Sequence, residues 1–506
     1  MKNSITNVLQ VKKLINNDYV ALLMLIVANL VVKGFYLATP PLAGDEPFTV
    51  YHAQMDLMDM LRVLAGYNNP PLMEIILHFW IKVWGISELS VRVPSLLFSS
   101  ATIGLIYLIG SRFINRRIGW YAAIIFLFSN YHVALAHEAR VYTLMGMLTT
   151  LSVYLYLSLA APMLSARSPR RPKTNSLGIL VALAITNILL IYAHYFGFFI
   201  VALEVLYTLM NRRLTVSARK HLVMVCIAIG LAYIPHMKVL YTRFIVSAGQ
   251  GTWIEPPNGF ISIYNMLWQF SNAPVVTTIV ITIFVAAFAK HLATGRKKPA
   301  NPFSGFIAIW FFSIFGFMFG ISYLVPMFLD RYLMPAAVGF PILLALSSDY
   351  LIPKLSFRSV IPLVVCLLFA ATVKPNLSNK REIDKAVSKI KEIRKPNSLV
   401  LLCPHHFVLT FAYHYDQNIF KLTGPSDSYT VVDSALKRHN IYAIDHIGEV
   451  NPEGYNQILY LDAASSFTHP ENQIVEQINN TMELKNKYYF YEIFNVYEYE
   501  YHFPER

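Results

Sequence analysis

Long apolar runs separated by short polar stretches fill the first 373 residues of the chain. Roughly 20 consecutive apolar residues are enough to cross a bilayer as an α-helix, so each long run predicts one membrane span. We therefore expect a polytopic α-helical membrane protein with about 11 spans. The predicted spans cover residues 19–37, 91–111, 118–136, 142–161, 177–193, 195–210, 221–237, 272–290, 303–323, 333–352 and 357–373.

The pattern changes after residue 374, where charged residues become more frequent and apolar runs become shorter. Residues 380–394 have the spacing of a surface helix, and residues 398–403 and 457–461 are short apolar runs typical of buried strands. The tail 488–501 alternates aromatic or aliphatic residues with Glu and Asn, as strands with one solvated face do. This last part of the chain is therefore predicted to contain both helices and a sheet.

These two patterns predict two domains. Residues 1–373 form the membrane domain, and residues 374–506 form a small external α/β domain, folded separately and without a catalytic group. The first external loop, 38–90, is long, and its apolar stretch 72–84 is too short to span, so we expect a helix lying in the membrane interface. The later external loop, 238–271, is either a mobile cover over a site or an ordinary interfacial loop.

Composition and charge agree with a membrane protein. The chain is 55% hydrophobic and only 14% charged, whereas soluble domains carry about 25% charged residues. The net charge of +13 does not indicate nucleic-acid binding, because the basic residues concentrate in alternate short loops, as the positive-inside rule requires. This asymmetry, with 20 basic residues in one set of loops and 7 in the other, places the N-terminus and the loop 167–173 in the cytoplasm and residues 374–506 outside. We expect a multi-pass protein of the bacterial inner (plasma) membrane with its C-terminal domain periplasmic or external.

The N-terminal run and the cysteines add little chemistry. The run 19–37 is longer than a typical signal-peptide core, and Pro40 and Pro41 stand where a cleavage site would lie, so we expect a retained anchor. The three cysteines are too few for a disulfide framework.

Two adjacent carboxylates, Asp45 and Glu46, follow the first predicted span directly. Pro40 and Pro41 precede them and Pro47 follows, which stiffens the backbone on both sides. A pair at a membrane boundary can be an ordinary solvated loop end. Carboxylates gathered in one cleft can instead act as a general base or hold a metal, so a divalent metal remains an open alternative.

A second polar stretch, His137-Glu138-Ala139-Arg140, follows two more apolar runs and should return to the same side of the membrane. Polar groups at the end of an apolar run are costly unless they are used or paired. The simpler interpretation is a helix-end cap with an internal Glu138–Arg140 contact. An arginine fork also matches the oxygens of a phosphate group, which a lipid-phosphate leaving group would carry. Other candidate substrate-binding residues at external turns are Tyr142, His194, Tyr195 and Arg331.

The order of these motifs resembles the GT-C membrane glycosyltransferases of the protein-mannosyltransferase type, which include the lipid A aminoarabinose transferases (glycosyltransferase family 39). The resemblance is dense over residues 40–150 and thinner to about residue 340, and residues 374–506 match no motif. The matching stretches are Gly44-Asp45-Glu46, Asn69-Pro70-Pro71-Leu72, His78-Phe79-Trp80, Gly85, Glu88, Arg92-Val93-Pro94-Ser95, His137-Glu138-Ala139-Arg140-Val141-Tyr142 and Arg331-Tyr332-Leu333-Met334-Pro335-Ala336.

The resemblance implies the GT-C fold and a polyprenyl-phosphate or dolichyl-phosphate sugar donor. It also implies inverting transfer to a lipid, glycan or protein acceptor on the outer face of the membrane. By position, Asp45 matches the proposed catalytic base, Glu46 its acidic neighbour and Glu138 the acidic residue of the second external loop. His137, Arg140 and Tyr142 match residues lining the same region. Metal dependence varies among such enzymes, so the resemblance implies no fixed cofactor.

Two other classes of protein remain as alternatives. A polytopic transporter would also bury charged residues, but it should show repeat symmetry or paired broken helices, and the sequence shows neither. A lipid-binding assembly protein without catalysis would need no acidic cleft. Convergence of Asp45 and Glu138 in space would distinguish the enzyme from this last alternative.

Overall fold

The structure is a computed structural model that describes residues 17–500 except 68–69, 165–175, 212–215, 243–253, 296–300, 353, 355–356, 377–381, 425–427, 470–472 and 492. The predicted basic loop 167–173, Asn69 of the matching motif and the middle of the external loop 238–271 lie outside these residues.

The described chain is mostly helical up to residue 372. Its α-helices in this part are α1 (Asp18–Gly34), α2 (Glu46–Gln54), α3 (Leu57–Leu64), α4 (Leu72–Trp84), α5 (Glu88–Ile109), α6 (Arg116–Leu127), α7 (Asn130–Ala136), α8 (Tyr142–Leu164), α9 (Ser176–Ala193), α10 (Gly197–Met210), α11 (Val216–Tyr233), α12 (Met237–Thr242), α13 (Gly259–Phe270), α14 (Pro274–Ala293), α15 (Pro302–Ile321), α16 (Met334–Ala337), α17 (Phe340–Leu351) and α18 (Val360–Thr372).

Helices and strands alternate in the rest of the chain. These elements are α19 (Ile383–Ile393), β1 (Ser398–Cys403), α20 (Val408–Tyr415), α21 (Gln417–Phe420), α22 (Ser428–Lys437), β2 (Ile441–Ala443), β3 (Gln457–Ala463), α23 (Ser465–Thr468), α24 (Ile474–Asn479), β4 (Glu483–Phe490) and β5 (Phe494–Glu500).

Five helical segments are long and apolar enough to cross a membrane: Glu88–Ile114, Tyr142–Ala161, Arg219–Thr242, Pro274–Ala293 and Pro302–Ile321. Each overlaps a predicted span, so the chain is an integral membrane protein, as the sequence predicted. The number rises to seven if each of two bent helix pairs counts as one span. Three other predicted spans are the shorter apolar helices Leu177–Ala193, Gly197–Met210 and Val360–Thr372, and the first predicted span corresponds to the 17-residue helix α1. The total of about 11 therefore stays a prediction.

The predicted span 118–136 is not one straight helix. It consists of α6 and α7, which meet at an angle of 61°. The side chain of Asn272 bridges the break: its Nδ2 donates to the Phe128 carbonyl at 2.8 Å, and its Oδ1 accepts from the Asn130 amide at 2.7 Å. These bonds replace helical bonds lost at the bend and so stabilise it.

The predicted span 333–352 is also bent, by 53° between its two helical parts. Pro335 and Pro341 lack the amide hydrogen needed for a continuous helix. The Pro335 carbonyl instead accepts a 2.8 Å hydrogen bond from the indole of Trp310, which is fully buried.

A five-stranded sheet forms the core of the C-terminal part, with strand order β2-β1-β3-β5-β4. Strand β1 is parallel to β2 and β3, whereas β5 is antiparallel to both β3 and β4. The predicted strands 398–403 and 457–461 are therefore present. The tail forms a hairpin in which only the edge strand β4 is largely exposed, because β5 lies between two strands and is almost entirely buried.

The described residues form two compact units. Unit 1 comprises residues 17–35, 70–72 and 93–376. Unit 2 comprises residues 36–67, 73–92 and 382–500, and so combines most of the first external loop with the C-terminal sheet. This grouping differs from the predicted division, which assigned that loop to the membrane domain 1–373 and residues 374–506 to a separate domain. The predicted domain boundary stays a prediction.

Candidate active site

In unit 2, Asp45 is the residue that precedes helix α2. Gly44 before it has φ +61°, a left-handed conformation that glycine adopts without steric cost, and Pro47 lies in the first turn of the helix. The Asp45 side chain is exposed and does not cap the helix. The loop therefore presents this carboxylate to solvent at the positive end of a short helix.

Glu46, the adjacent carboxylate, is buried against Arg92. Its two oxygens accept hydrogen bonds of 2.8 Å from Nε and Nη2 of Arg92, and the paired side chains are 2% and 0% exposed. This two-point geometry is the strongest form of an arginine–carboxylate pair. The structure thus buries the Glu46 side chain, in contact with the guanidinium of Arg92.

Arg92 also binds the backbone of the loop that carries Asp45. Its Nη1 donates to the carbonyls of Leu37 and Pro40 at 3.0 and 2.7 Å, and its Nη2 donates to the Pro41 carbonyl at 3.1 Å. Together with the bonds to Glu46, these contacts use all five N–H donors of the guanidinium. Arg92 therefore fixes the path of the chain from residue 37 to residue 46.

Sequence reasoning did not give Arg92 this role. Arg92 appeared only as part of a matching motif. The available signal was its position four residues after Glu88, in the first turn of a long apolar helix, where an arginine needs partners.

Helix α20 of the C-terminal region supports the same loop from within unit 2. His414 Nε2 donates to the Leu42 carbonyl at 2.8 Å, and Thr410 Oγ1 donates to the Gly44 carbonyl at 3.4 Å. Burial lowers the pKa of His414, while its bond to Leu42 acts in the opposite direction. Residues beyond 400 thus contact the residue next to Asp45. The absence of a catalytic group from residues 374–506 stays a prediction.

His406, one turn before Thr410, lies close enough to Asp45 for the two side chains to interact electrostatically. Enclosure by protein lowers the pKa of His406, and the carboxylates of Asp445 and Asp45 partly counteract that effect. The C-terminal region therefore adds a titratable group to the surroundings of Asp45.

In unit 1, the stretch His137 to Arg140 forms the turn between α7 and α8. His137 is buried, and its Nε2 lies 2.7 Å from the Lys33 carbonyl, to which it must donate. The Glu138 carbonyl accepts a 2.6 Å bond from Ser95 Oγ, while the Glu138 side chain is half-buried. These contacts fix the turn, and the substrate-binding role of His137 stays a prediction.

Two arginines of unit 1 lie near one buried histidine. The Arg331 guanidinium lies 5.9 Å from the ring centre of Tyr142, and the Tyr142 ring lies 6.4 Å from that of His194. Burial and then the charges of Arg140 and Arg331 lower the pKa of His194, so its ring is neutral at physiological pH. Tyr142, His194, Arg140 and Arg331 therefore form one cationic cluster, contributed by three separate stretches of the sequence.

His194 presents a hydrogen-bond donor within this cluster. Its Nδ1 accepts from the Phe196 amide at 3.2 Å, so the neutral ring carries its hydrogen on Nε2. Nε2 is buried and has no hydrogen-bond partner among the described residues. The hydroxyl of the neighbouring Tyr195 lies 3.3 Å from Nε2 of His236. Two guanidinium groups and an N–H donor suit an anionic ligand.

The described residues contain no group of three or more His, Cys, Asp or Glu side chains arranged to hold a metal ion. The described part of the chain therefore provides no set of ligands for the divalent metal that the sequence left open at Asp45.

Comparison with protein families gives one match. The model of the dolichyl-phosphate-mannose-protein mannosyltransferases matches residues 68–237. Comparison of the sequence with curated proteins gives no significant match.

Among solved structures, ArnT from Cupriavidus metallidurans bound to undecaprenyl phosphate has a TM-score of 0.58 at 13% identity, with 94% of this chain and 97% of that chain covered. The apo state of the same ArnT has a TM-score of 0.45 at 14% identity, with the same coverage. The Archaeoglobus fulgidus oligosaccharyltransferase in complex with Zn and sulfate has a TM-score of 0.49 at 9% identity, covering 94% and 72%. The last two scores are too low to support the fold.

The match to the ArnT complex extends over nearly the whole of both chains, and the family match covers the stretch in which the sequence motifs are dense. The resemblance deduced from the motifs is therefore confirmed: this chain has the fold of ArnT and is similar to the GT-C membrane glycosyltransferases of the protein-mannosyltransferase type.

Proposed function

We propose that this protein transfers a sugar from a polyprenyl-phosphate or dolichyl-phosphate donor to a lipid, glycan or protein acceptor at the outer face of the membrane. The lipid tail of such a donor remains in the bilayer while its phosphate and sugar reach the external surface. The acceptor hydroxyl or amine attacks the anomeric carbon, the bond from that carbon to the phosphate oxygen breaks, and the configuration inverts.

Asp45 is the proposed general base. The observation that carries this assignment is the contrast between the two adjacent carboxylates: Glu46 is bound at both oxygens by Arg92, whereas Asp45 is exposed. A base must reach the proton of the acceptor, and its loop must hold it in place. Arg92 and His414 hold the backbone just before Gly44 through their bonds to the carbonyls of Pro40 and Leu42.

The cationic cluster of unit 1 is the proposed binding site for the lipid phosphate. Arg140 and Arg331 offer guanidinium donors, and His194 offers the buried Nε2 hydrogen. Negative charge grows on the phosphate oxygen as the sugar leaves, so cations fixed near it would stabilise the transition state. Tyr142 places its ring against Arg331 and is proposed to orient that side chain.

Glu138 is proposed to act in the same reaction, with its backbone held by Ser95. Its half-buried side chain stands beside Arg140 in sequence, where it can orient that cation or contact the sugar. Glu46 is proposed to position the Asp45 loop and to take no part in proton transfer.

The decisive test measures transfer of labelled sugar from a purified lipid-phosphate donor by Asp45→Asn and wild-type protein. Loss of a general base typically slows the reaction by about 10²–10⁴-fold. Donor binding, measured separately, should change much less. The matched control is Asp59→Asn, which removes a carboxylate of unit 2 that is paired with Arg62 near the surface.

Near-normal turnover by a folded Asp45→Asn protein would refute the base assignment. Donor binding without any transfer by the wild-type protein, across the donor and acceptor classes named, would favour a lipid-binding protein without catalysis. Donor movement across the membrane without sugar transfer would favour a transporter.

A further inference from the structure

Three polar side chains close a ring inside unit 1, where helices α8, α9 and α10 pack together. Ser152, Asn187 and Glu204 each have 0% exposure. Ser152 Oγ lies 2.6 Å from Asn187 Oδ1 and 2.6 Å from Glu204 Oε1. Asn187 Nδ2 lies 2.9 Å from Glu204 Oε2 and completes the ring. Each helix thus contributes one member.

The ring contains three short contacts, and each needs one hydrogen. The Ser152 hydroxyl supplies one. The Asn187 amide supplies one, because its nitrogen faces one neighbour and its oxygen faces the other. Exchanging the amide oxygen and nitrogen moves that hydrogen to the other contact but does not add a second. The third hydrogen can come only from the Glu204 carboxyl group.

An ionised Glu204 does not fit these contacts. Without its proton, two oxygens in the ring would face each other at hydrogen-bond distance with no hydrogen between them. Among the described residues, no basic side chain lies within ion-pair distance of Glu204, so its charge would have no cation to offset burial. The described titratable groups on which the charge of Glu204 would act are Tyr156 on α8 and Cys226 on α11. Neither is a cation, because tyrosine and cysteine are uncharged when protonated.

We propose that Glu204 is a proton-binding site: the folded protein holds it as a carboxylic acid, and its proton latches α8, α9 and α10 together. In this arrangement the Glu204 hydroxyl donates to Ser152 Oγ, Ser152 donates to Asn187 Oδ1, and Asn187 donates to the second Glu204 oxygen. The latch is independent of the proposed transfer reaction. It is lost when the proton is lost, so the contribution of the ring to stability decreases as pH rises.

Infrared difference spectroscopy tests the protonation state directly in the full-length protein. The spectrum of wild type minus Glu204→Gln at neutral pH should contain the C=O band of a protonated carboxylic acid. A carboxylate band in its place would overturn the proposal. Asp349→Asn is the matched control, because buried Asp349 is paired with Arg358 at 2.7 Å and its difference spectrum should contain a carboxylate band.

A stability measurement tests the latch. Glutamine at position 204 still donates a hydrogen to Ser152 and accepts one from Asn187, but it cannot lose that hydrogen. The unfolding temperature of wild type should therefore decrease more steeply with rising pH than that of Glu204→Gln. If the unfolding temperatures of wild type and Glu204→Gln changed equally with pH, the proposed role of the Glu204 proton would be overturned.

A variant that fails to fold would not prevent the test. Wild-type protein containing ¹³C-labelled glutamate should show an isotope-shifted carboxylic acid band at neutral pH. Absence of that band would overturn the proposal without any substitution.

Discussion

The pair of Glu46 and Arg92 supports a prediction that separates a positioning carboxylate from a catalytic one. Glu46→Gln keeps the size of the side chain but removes its charge, and Arg92 then remains buried without its counter-ion. Removing one partner of a buried pair typically costs about 3–5 kcal/mol. For a unit of this size, about 2–4 °C of unfolding temperature corresponds to 1 kcal/mol, so we expect a decrease of roughly 6–20 °C.

The expected loss of stability depends on how many hydrogen bonds Arg92 keeps in each variant. Its bonds to the carbonyls of Leu37, Pro40 and Pro41 do not involve Glu46, and they place Glu46→Gln toward the lower end of that range. Arg92→Lys keeps the charge but has only three donors for the five contacts. At least two acceptors then lose their partner, and each lost bond to a charged group is worth about 1.5–3 kcal/mol.

The assay combines unfolding temperature with sugar transfer, measured at a temperature where each variant is fully folded. Glu46→Gln should have a clearly lower unfolding temperature and a smaller loss of turnover than Asp45→Asn. The double variant with Arg92→Gln should be less destabilised than the sum of the single variants, because it no longer leaves one charge buried alone. Unchanged stability together with abolished turnover would show that Glu46 is catalytic and that the ion-pair reasoning is wrong.

Four further predictions follow from other contacts. Arg140→Ala should weaken binding of the lipid-phosphate donor more than Asp45→Asn does, measured by direct donor binding. Glu138→Gln should lower turnover in the transfer assay while donor binding stays closer to wild type. Burial lowers the pKa of His414, so the unfolded state binds the proton more tightly. Stability should therefore decrease as pH falls below about 6.5, and His414→Gln should lack this dependence in thermal unfolding. Cysteines in the loop 167–173 should react only with reagents that reach the cytoplasm, and labelling from outside would reverse the orientation.

Helix periodicity and motif order predicted most of the fold. The five long membrane helices, the helix after residue 382 and strand β1 lie where the hydrophobic pattern places them. The bends inside 118–136 and 333–352 could not be predicted in the same way. The first depends on the side chain of Asn272, which is 144 residues away from Phe128 in sequence. An apolar run predicts that a segment is buried. It does not predict that a distant side-chain amide will replace hydrogen bonds within the helix.

The sequence predicted which residues belong to the candidate site. It did not predict their environments, which differ from residue to residue in the structure. Asp45 and Glu46 have almost the same chemistry in sequence, and the motif makes both of them candidates. A short helix with Pro47 in its first turn rotates consecutive side chains by about 100°. One carboxylate therefore turns to solvent, while its neighbour turns inward to the guanidinium of Arg92. Periodicity alone does not decide which of the two faces inward.

The support of the Asp45 loop explains why residues 88–92, at the start of α5, and the C-terminal region occur together in unit 2. Arg92, at the start of α5, binds three loop carbonyls and Glu46, while α20 binds the carbonyls of Leu42 and Gly44. Loop carbonyls have no partners in regular secondary structure, so side chains from elsewhere must satisfy them when they are buried. The sequence motif contains the arginine but not α20, which lies more than 300 residues later. A change in α20 should therefore affect the conformation of the Asp45 loop even though the C-terminal region matches no family motif.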